Sequence, residues 1–266
     1  MSQVGFVGAG RMGAPMVRRL VEAGQEVRAL GRSIEKRRAV SELGAQPVTD
    51  LADIGPDADV VIVCVFTDDQ VRQVCLEGVL LPTMRPGTSL VIHTTGSPRT
   101  AETIAAEAES RDIAVVDAPV SGGPHDIAAG RVTLFVGGSD DAVERVRPVI
   151  ACYGDPILHV GPIGAGQGVK LVNNTLFAAQ IGLLHEAVRL GDRLGIDERQ
   201  LLDAIGHGSA ASRVASIVGA RGSVDAFIEM VGEFVGKDVA VVRKTVAELG
   251  SDLGLLDEAI NAGIQP

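Results

Sequence analysis

The chain has 266 residues, 46% of them hydrophobic and 22% charged, with a formal net charge of −10. That length allows one large domain or two modest ones with a sizeable core, and a mean hydropathy of +0.26 excludes a disordered chain. The 34 Asp+Glu against 24 Lys+Arg exclude an ordinary nucleic-acid binder, because a phosphate backbone rewards a basic face, and aromatics at 3% argue against base stacking.

Strands are predicted over 4–7, 26–30, 59–65, 89–93, 114–117, 133–136 and 157–160, alternating with helices that include 12–23, 34–43, 69–76 and 100–110. Several of the strands are apolar throughout, as parallel strands covered on both faces are, so the pattern implies right-handed βαβ units in a doubly wound sheet. After Gly161-Pro162 the pattern changes to helices alone: one long helix over 168–194, roughly 40 Å at 1.5 Å per residue, then 197–205, 213–218 and 225–249. The reading is an α/β domain over 1–163 followed by an all-α domain over 164–266, joined by the long helix.

Three cysteines, Cys64, Cys75 and Cys152, are odd in number and lack metal-type spacing, so no metal site is expected; Cys64, in the apolar run 59–66, reads as a small buried hydrophobe. No basic segment followed by an apolar signal core opens the chain, and no run reaches ~18 apolar residues, so the expectation is a cytoplasmic, reduced protein with no membrane partner.

The stretch Val4 to Gly13 is a strand running into Gly8-Ala9-Gly10-Arg11-Met12-Gly13 and then a helix. In this G-x-G-x-x-G turn Gly8 permits the tight bend, Gly10 lets backbone approach a pyrophosphate and Gly13 allows close helix–strand packing, the arrangement of a dinucleotide-binding Rossmann domain. The alternative is a merely structural Gly-rich turn. At the end of the second strand, where an NAD site usually carries Asp or Glu, stand Leu30-Gly31-Arg32-Ser33 and then Lys36, Arg37 and Arg38. With no carboxylate there to repel a 2′-phosphate, Arg32 and Ser33 would face that group, which favours NADP(H), with NAD(H) as the alternative. For Lys36 to Arg38 a solvated helix face is an equal reading.

Three segments carry a family resemblance. The run Gly5 to Met16, the stretch Asp117-Ala118-Pro119-Val120-Ser121-Gly122-Gly123, and Gly164 to Asn174 with its G-x-G-x-x-x-K-x-x-x-N spacing together resemble the β-hydroxyacid dehydrogenases. That family includes 3-hydroxyisobutyrate dehydrogenases, tartronate semialdehyde reductases and glyoxylate/succinic semialdehyde reductases. Lys237-Asp238 is similar to a Lys-Asp pair in the family's C-terminal domain. The resemblance implies hydride transfer between a nicotinamide cofactor and a small 3-hydroxy acid or related hydroxy-carboxylate. It implies Lys170 as general acid/base, with Asn174 beside it. It further implies Thr95 near the nicotinamide or substrate, backbone contact with cofactor around Val65 and Phe66, Lys237 closing the cleft, and a homodimer or homotetramer.

The residue chemistry agrees. Lys170 and Asn174 are i and i+4, so both project from one helix face. A free Lys has a reference pKa of ~10.4, and partial burial beside a helix N-terminus would lower it toward an acid–base role. Ser121, Gly122 and Gly123 follow a strand end, where two glycines leave N–H groups unshielded in a nest for a substrate carboxylate. A solvated Lys and a Gly-rich loop are the plain alternatives.

The departures are three. His93 stands where the family often has Asp and reads as a structural hydrogen-bonder; Pro124-His125-Asp126-Ile127 differs from the usual small-residue loop; and Pro266 precedes the family's final helical segment. Asn173 occupies the place of the His that 6-phosphogluconate dehydrogenases show, which weakens a sugar-phosphate reading, and Lys170 is the residue imine reductases usually replace. The alternatives are an imine reductase-like NADPH enzyme and a non-catalytic NADP(H)-sensing Rossmann protein.

Overall fold

The structure is a computed structural model and describes residues 2–263. Six strands form the parallel part of one sheet: β1 (Gln3–Val7), β2 (Glu26–Leu30), β3 (Gln46–Val48), β4 (Val60–Val63), β5 (Ser89–Ile92) and β6 (Ala114–Asp117), in the order β3-β2-β1-β4-β5-β6. The chain leaves β1 toward β2 on one side and returns to build β4 on the other, so the order reverses between β1 and β4, where such sheets bind ligands at their carboxyl ends. Strands β4 and β5 are buried along their whole length, which is why their sequences read as uninterrupted apolar runs.

Beyond β6 the sheet changes direction. Strand β7 (Val120–Ser121) and β6 lie antiparallel along one edge of β8 (Val132–Gly137), and β9 (Gly154–Gly161) lies parallel along the other. The crossovers are α1 (Gly13–Glu22), α2 (Ile34–Glu42), α3 (Asp68–Cys75), α4 (Leu80–Thr83), α5 (Pro98–Glu109), α6 (Pro124–Ala128) and α7 (Asp140–Ile150). Their packing makes two cores, one on each sheet face: Phe6, Met16, Leu20 and Tyr153 belong to one, and Leu80, Leu90 and Ile104 to the other.

The helical part comprises α8 (Ala165–Arg193), α9 (Glu198–His207), α10 (Arg213–Arg221), α11 (Val224–Glu248) and α12 (Leu255–Asn261). Two compact units divide between Lys170 and Leu171, so the first turns of α8 belong with the sheet, later than the change of pattern at residue 163. The second unit has its own core of Ala178, Ile181, Leu202, Val218, Phe227 and Ile260. Along α8, Val172, Leu176, Leu183 and Leu190 remain exposed.

Strands β3 and β7 and helix α12 are absent from the sequence reading, and the stretch read as a loop at Pro124-His125-Asp126-Ile127 forms the short helix α6. β3 is Gln46-Pro47-Val48, too short and too polar for an apolar run, and its Pro is tolerated because it lies at the sheet edge. β7 is two residues in a Gly-rich loop and exists through its pairing with Thr133 and Leu134. Cys64 is half-buried against the core, not enclosed in it, because β4 ends at Val63.

Glycine has a different meaning at two points of the second unit. A Cβ on Gly182 would collide with the Ala259 carbonyl oxygen, whereas one on Gly232 in α11 would meet nothing within 4 Å. Gly182→Ala is expected to lower stability by about 1–3 kcal/mol through overpacking, and Gly232→Ala to raise it by about 0.5–1 kcal/mol through helix propensity. Urea unfolding of both variants checks the contrast; equal shifts would contradict it.

Candidate active site

The phosphate-type turn joins β1 to α1. Gly8 has φ +103°, and a Cβ on it would run into the Cys64 carbonyl; a Cβ on Gly13 would run into the Gly8 carbonyl and lie 2.8 Å from the Phe6 ring. These two glycines are required by the fold itself. Gly10 is different: it is exposed and a Cβ there would meet nothing within 4 Å, so only an external group approaching the backbone would need its bareness. Ala9 and Met12 are half-buried and Arg11 is exposed around it. No side chain caps α1 and no acidic residue lies in its first turn, so its N-terminus suits an anion. The turn therefore fits a dinucleotide pyrophosphate.

At the end of β2 the basic run resolves into different roles. Arg37 folds back to donate to the Gly31 carbonyl at 3.3 Å, and Arg38 pairs with Glu42 at 3.0 Å, while Arg32 and Lys36 are exposed. Ser33 caps α2 by accepting the Lys36 N–H at 3.2 Å. Its hydroxyl also interacts with Glu35, whose carboxyl is held below its usual range by that hydrogen bond and its own backbone N–H. The sequence reading of a strand end without a carboxylate is thus corrected: Glu35 reaches Ser33 from the first turn of α2.

The backbone after β4 is held by side chains. Val65 N–H donates to the Thr94 hydroxyl at 2.9 Å, and that hydroxyl donates to the Val65 carbonyl at 3.0 Å. The N–H groups of Phe66 and Thr67 both donate to the Gln70 amide oxygen. What this loop presents is therefore the Phe66 side chain, 43% exposed, more than its N–H groups.

The entry to α8 carries the densest polar network. Asp117, at the end of β6 and fully buried, accepts the Gly164 N–H on one oxygen and the Gln167 N–H on the other, both at 2.7 Å. Burial pushes its carboxyl above the usual range, and the two N–H donors oppose this. Gly166 lets the helix sit against the strands, since a Cβ there would come within 2.8 Å of the Asp117 carbonyl. The Gln167 side chain, 1% exposed, accepts the Gly96 N–H at 2.9 Å and donates to the Thr94 carbonyl at 2.8 Å. Half-buried Thr95 lies between these two anchored residues. Lys170, 8% exposed, follows Gln167 by three residues on α8, so the two share a helix face.

The expected anion nest at Ser121-Gly122-Gly123 is smaller than foreseen. Gly123 N–H donates to the Asp126 carboxylate at 2.7 Å, so it is not offered to a ligand. Gly122, at φ +135°, would with a Cβ stand 2.8 Å from the same carboxylate, so part of the need for glycine here is the close approach of Asp126. His125 lies 3.3 Å from Asp126 at the exposed lip of the loop. Half-buried Ser121 pairs with β8 through its backbone.

In the second unit, Asn174 donates its amide to Asp238 and accepts from Asn173 at 3.1 Å, and Lys237 lies 3.0 Å from Asp238. Asn174 is thus braced from α11 by a buried carboxylate that a reading of α8 alone does not reveal.

Residues 3–161 match the family model for the NAD-binding domain of 6-phosphogluconate dehydrogenase, and residues 164–262 match that for the NAD-binding region of NADP-dependent 3-hydroxyisobutyrate dehydrogenase. The chain belongs to the β-hydroxyacid dehydrogenase family. It is 33% identical to the NAD-dependent L-serine dehydrogenase of Pseudomonas aeruginosa over 98% of its own length and 86% of that protein. It is 32% identical to the 2-(hydroxymethyl)glutarate dehydrogenase of Eubacterium barkeri, over 99% of this chain and 84% of that one. A solved Mycobacterium tuberculosis 3-hydroxyisobutyrate dehydrogenase with L-serine superposes with a TM-score of 0.89 at 30% identity, covering 98% of this chain and 92% of the other. The protein is an NAD(P)-binding oxidoreductase acting on CH–OH groups.

Among β-hydroxyacid dehydrogenase features, the departure at His93 has a physical account. His93, 2% exposed, bonds the Ala118 carbonyl through Nδ1 at 2.6 Å and the Tyr153 hydroxyl through Nε2 at 2.8 Å, with the rings edge to face. A carbonyl only accepts, so Nδ1 carries the proton and Tyr153 donates to Nε2. Burial lowers the His93 pKa to about 4. Because the unfolded chain then binds more protons between pH 6.5 and 4, stability is greatest above that window and falls as pH drops through it, by about 3 kcal/mol for this group. Urea unfolding at pH 7 and pH 4 should show that component in the wild type and not in His93→Gln; an identical pH slope in both would refute it.

Proposed function

We propose that this protein is a dehydrogenase preferring NADP(H) that interconverts a small 3-hydroxy acid, or a related hydroxy-carboxylate, and its semialdehyde or oxo form, with Lys170 as general acid/base. The observation that carries the reading is the burial of Lys170 one turn beyond the residues Asp117 fastens to the sheet. A free surface lysine would be spread over many rotamers; this one is on a helix start whose place is set at two points.

The nicotinamide gives or takes the hydride when bound. In the reducing direction the Lys170 ammonium protonates the substrate oxygen as negative charge develops there, and in the oxidising direction the neutral amine removes the hydroxyl proton. Asn174, braced on Asp238, orients that oxygen from the same face of α8. The Ser121 hydroxyl and the Gly122 N–H hold the carboxylate, and Thr95 borders the reacting carbon. Gly8 to Gly13 and the start of α1 take the pyrophosphate, with Arg32 on the 2′-phosphate and Phe66 against the cofactor. The 3-hydroxyisobutyrate and L-serine of the relatives' names are the first substrates to test, each with NADP+ and NAD+.

Lys170→Ala is expected to reduce kcat by ~10²–10⁴ while NADPH binding, followed by quenching or enhancement of its fluorescence, is retained. Absence of turnover across small hydroxy acids with the wild type would favour the sensor reading instead. Arg32 and Glu35 act in opposite senses on cofactor choice. Arg32→Ala should shift the NADP+/NAD+ ratio of kcat/KM toward NAD+ by about tenfold, ~1.4 kcal/mol, and Glu35→Gln should shift it toward NADP+. A ratio unmoved by Arg32→Ala would end the assignment of that residue.

A further inference from the structure

We propose that Gln167 is a positioning residue for the reaction, tying the loop that carries Thr95 to the helix that carries Lys170. The inference rests on the reading of Lys170 as the acid/base.

Three hydrogen bonds converge on this one residue. Its backbone N–H is held by Asp117 at 2.7 Å, its amide oxygen accepts from Gly96 at 2.9 Å, and its amide nitrogen donates to the Thr94 carbonyl at 2.8 Å. The orientation of the amide is fixed by chemistry, since Gly96 N–H can only donate and the Thr94 carbonyl can only accept. At 1% exposure, water cannot take the place of either partner without opening the site. Thr94 in turn grips Val65 through its hydroxyl on both backbone atoms. One buried amide therefore links α8, the end of β5 and, through Thr94, the end of β4.

The consequence is geometric. Gln167 precedes Lys170 by one helical turn and brackets Thr95 from both sides, so the separation between the Lys170 amine and the Thr95 backbone depends on it. None of its bonds involves the Gly8–Gly13 turn, so loss of the amide should affect the chemical step and leave the affinity for the coenzyme's diphosphate part intact.

The test uses Gln167→Leu and Gln167→Glu in the full chain, assayed with NADP+ and either L-serine or 3-hydroxyisobutyrate, alongside Lys170→Ala. Gln167→Leu should lower kcat tenfold or more with the NADPH Kd changed less than twofold. Gln167→Glu carries a decisive readout, which also serves if the Leu variant fails to fold. Its protonated carboxyl can donate to Thr94 and accept from Gly96 as the amide does, whereas its carboxylate would oppose the Thr94 carbonyl. The ratio of variant to wild-type kcat should therefore rise toward one at low pH and fall through a new ionisation, measured at a temperature where both proteins stay folded across the pH range. A pH-independent ratio near one for Gln167→Glu, or full kcat in Gln167→Leu, with Lys170→Ala inactive, overturns the positioning role alone. Full activity in Lys170→Ala overturns both readings.

Discussion

A buried carboxylate at the end of a central strand organises the site. Asp117 is fully buried and is kept in place by two backbone N–H groups from the start of α8. A helix N-terminus leaves its first N–H groups unpaired, and a carboxyl group is the natural partner for them; here the helix needs the strand end as much as the strand end needs the helix. Glycines at 137 and 166 permit this approach, because a Cβ at either position would press on Asp117. Lys170 then follows from the pitch of the helix.

The same economy appears at the other strand ends. Side chains that read as ordinary polar loop residues, Thr94, Gln70 and Asp68, are spent on backbone N–H groups at the ends of β4 and β5. Asp68 takes the Ser97 N–H at 3.0 Å and the Thr100 hydroxyl at 2.8 Å, which holds the start of α5 beside the Thr95 loop. A surface that must accept a charged ligand in a chain of net charge −10 gains from loops whose own dipoles are already fixed. The His93–Tyr153 pair serves the interior in the same way, fastening the ends of β5 and β6 with two neutral groups where a charge would be costly.

Glu35 and Asp126 show how a single neighbour alters a local reading. Both lie within a few residues of a motif, and both occupy a donor that the motif offers on paper: the Ser33 hydroxyl in one case, the Gly123 N–H in the other. Under the proposed function a substrate carboxylate would find fewer donors here than a Gly-Gly pair suggests, and the ribose end of the cofactor would meet Arg32 and Glu35 together.

The sequence by itself determined the parallel sheet, the change to helices near residue 163, the turn from Gly8 to Gly13 and the shared face of Lys170 and Asn174. Each of these depends on spacing along the chain: apolar runs of strand length, a 3.6-residue period, glycines at fixed intervals. The tertiary structure alone decided that β3 and β7 are strands, that Gln167 bridges Thr94 and Gly96, that Asp238 braces Asn174, and that Gly123 is already engaged. Those facts rest on partners often dozens of residues apart or on the exact direction of a short side chain. Periodicity carries no record of either, because a hydrogen bond is specified by three-dimensional closeness of donor and acceptor and not by their distance along the chain.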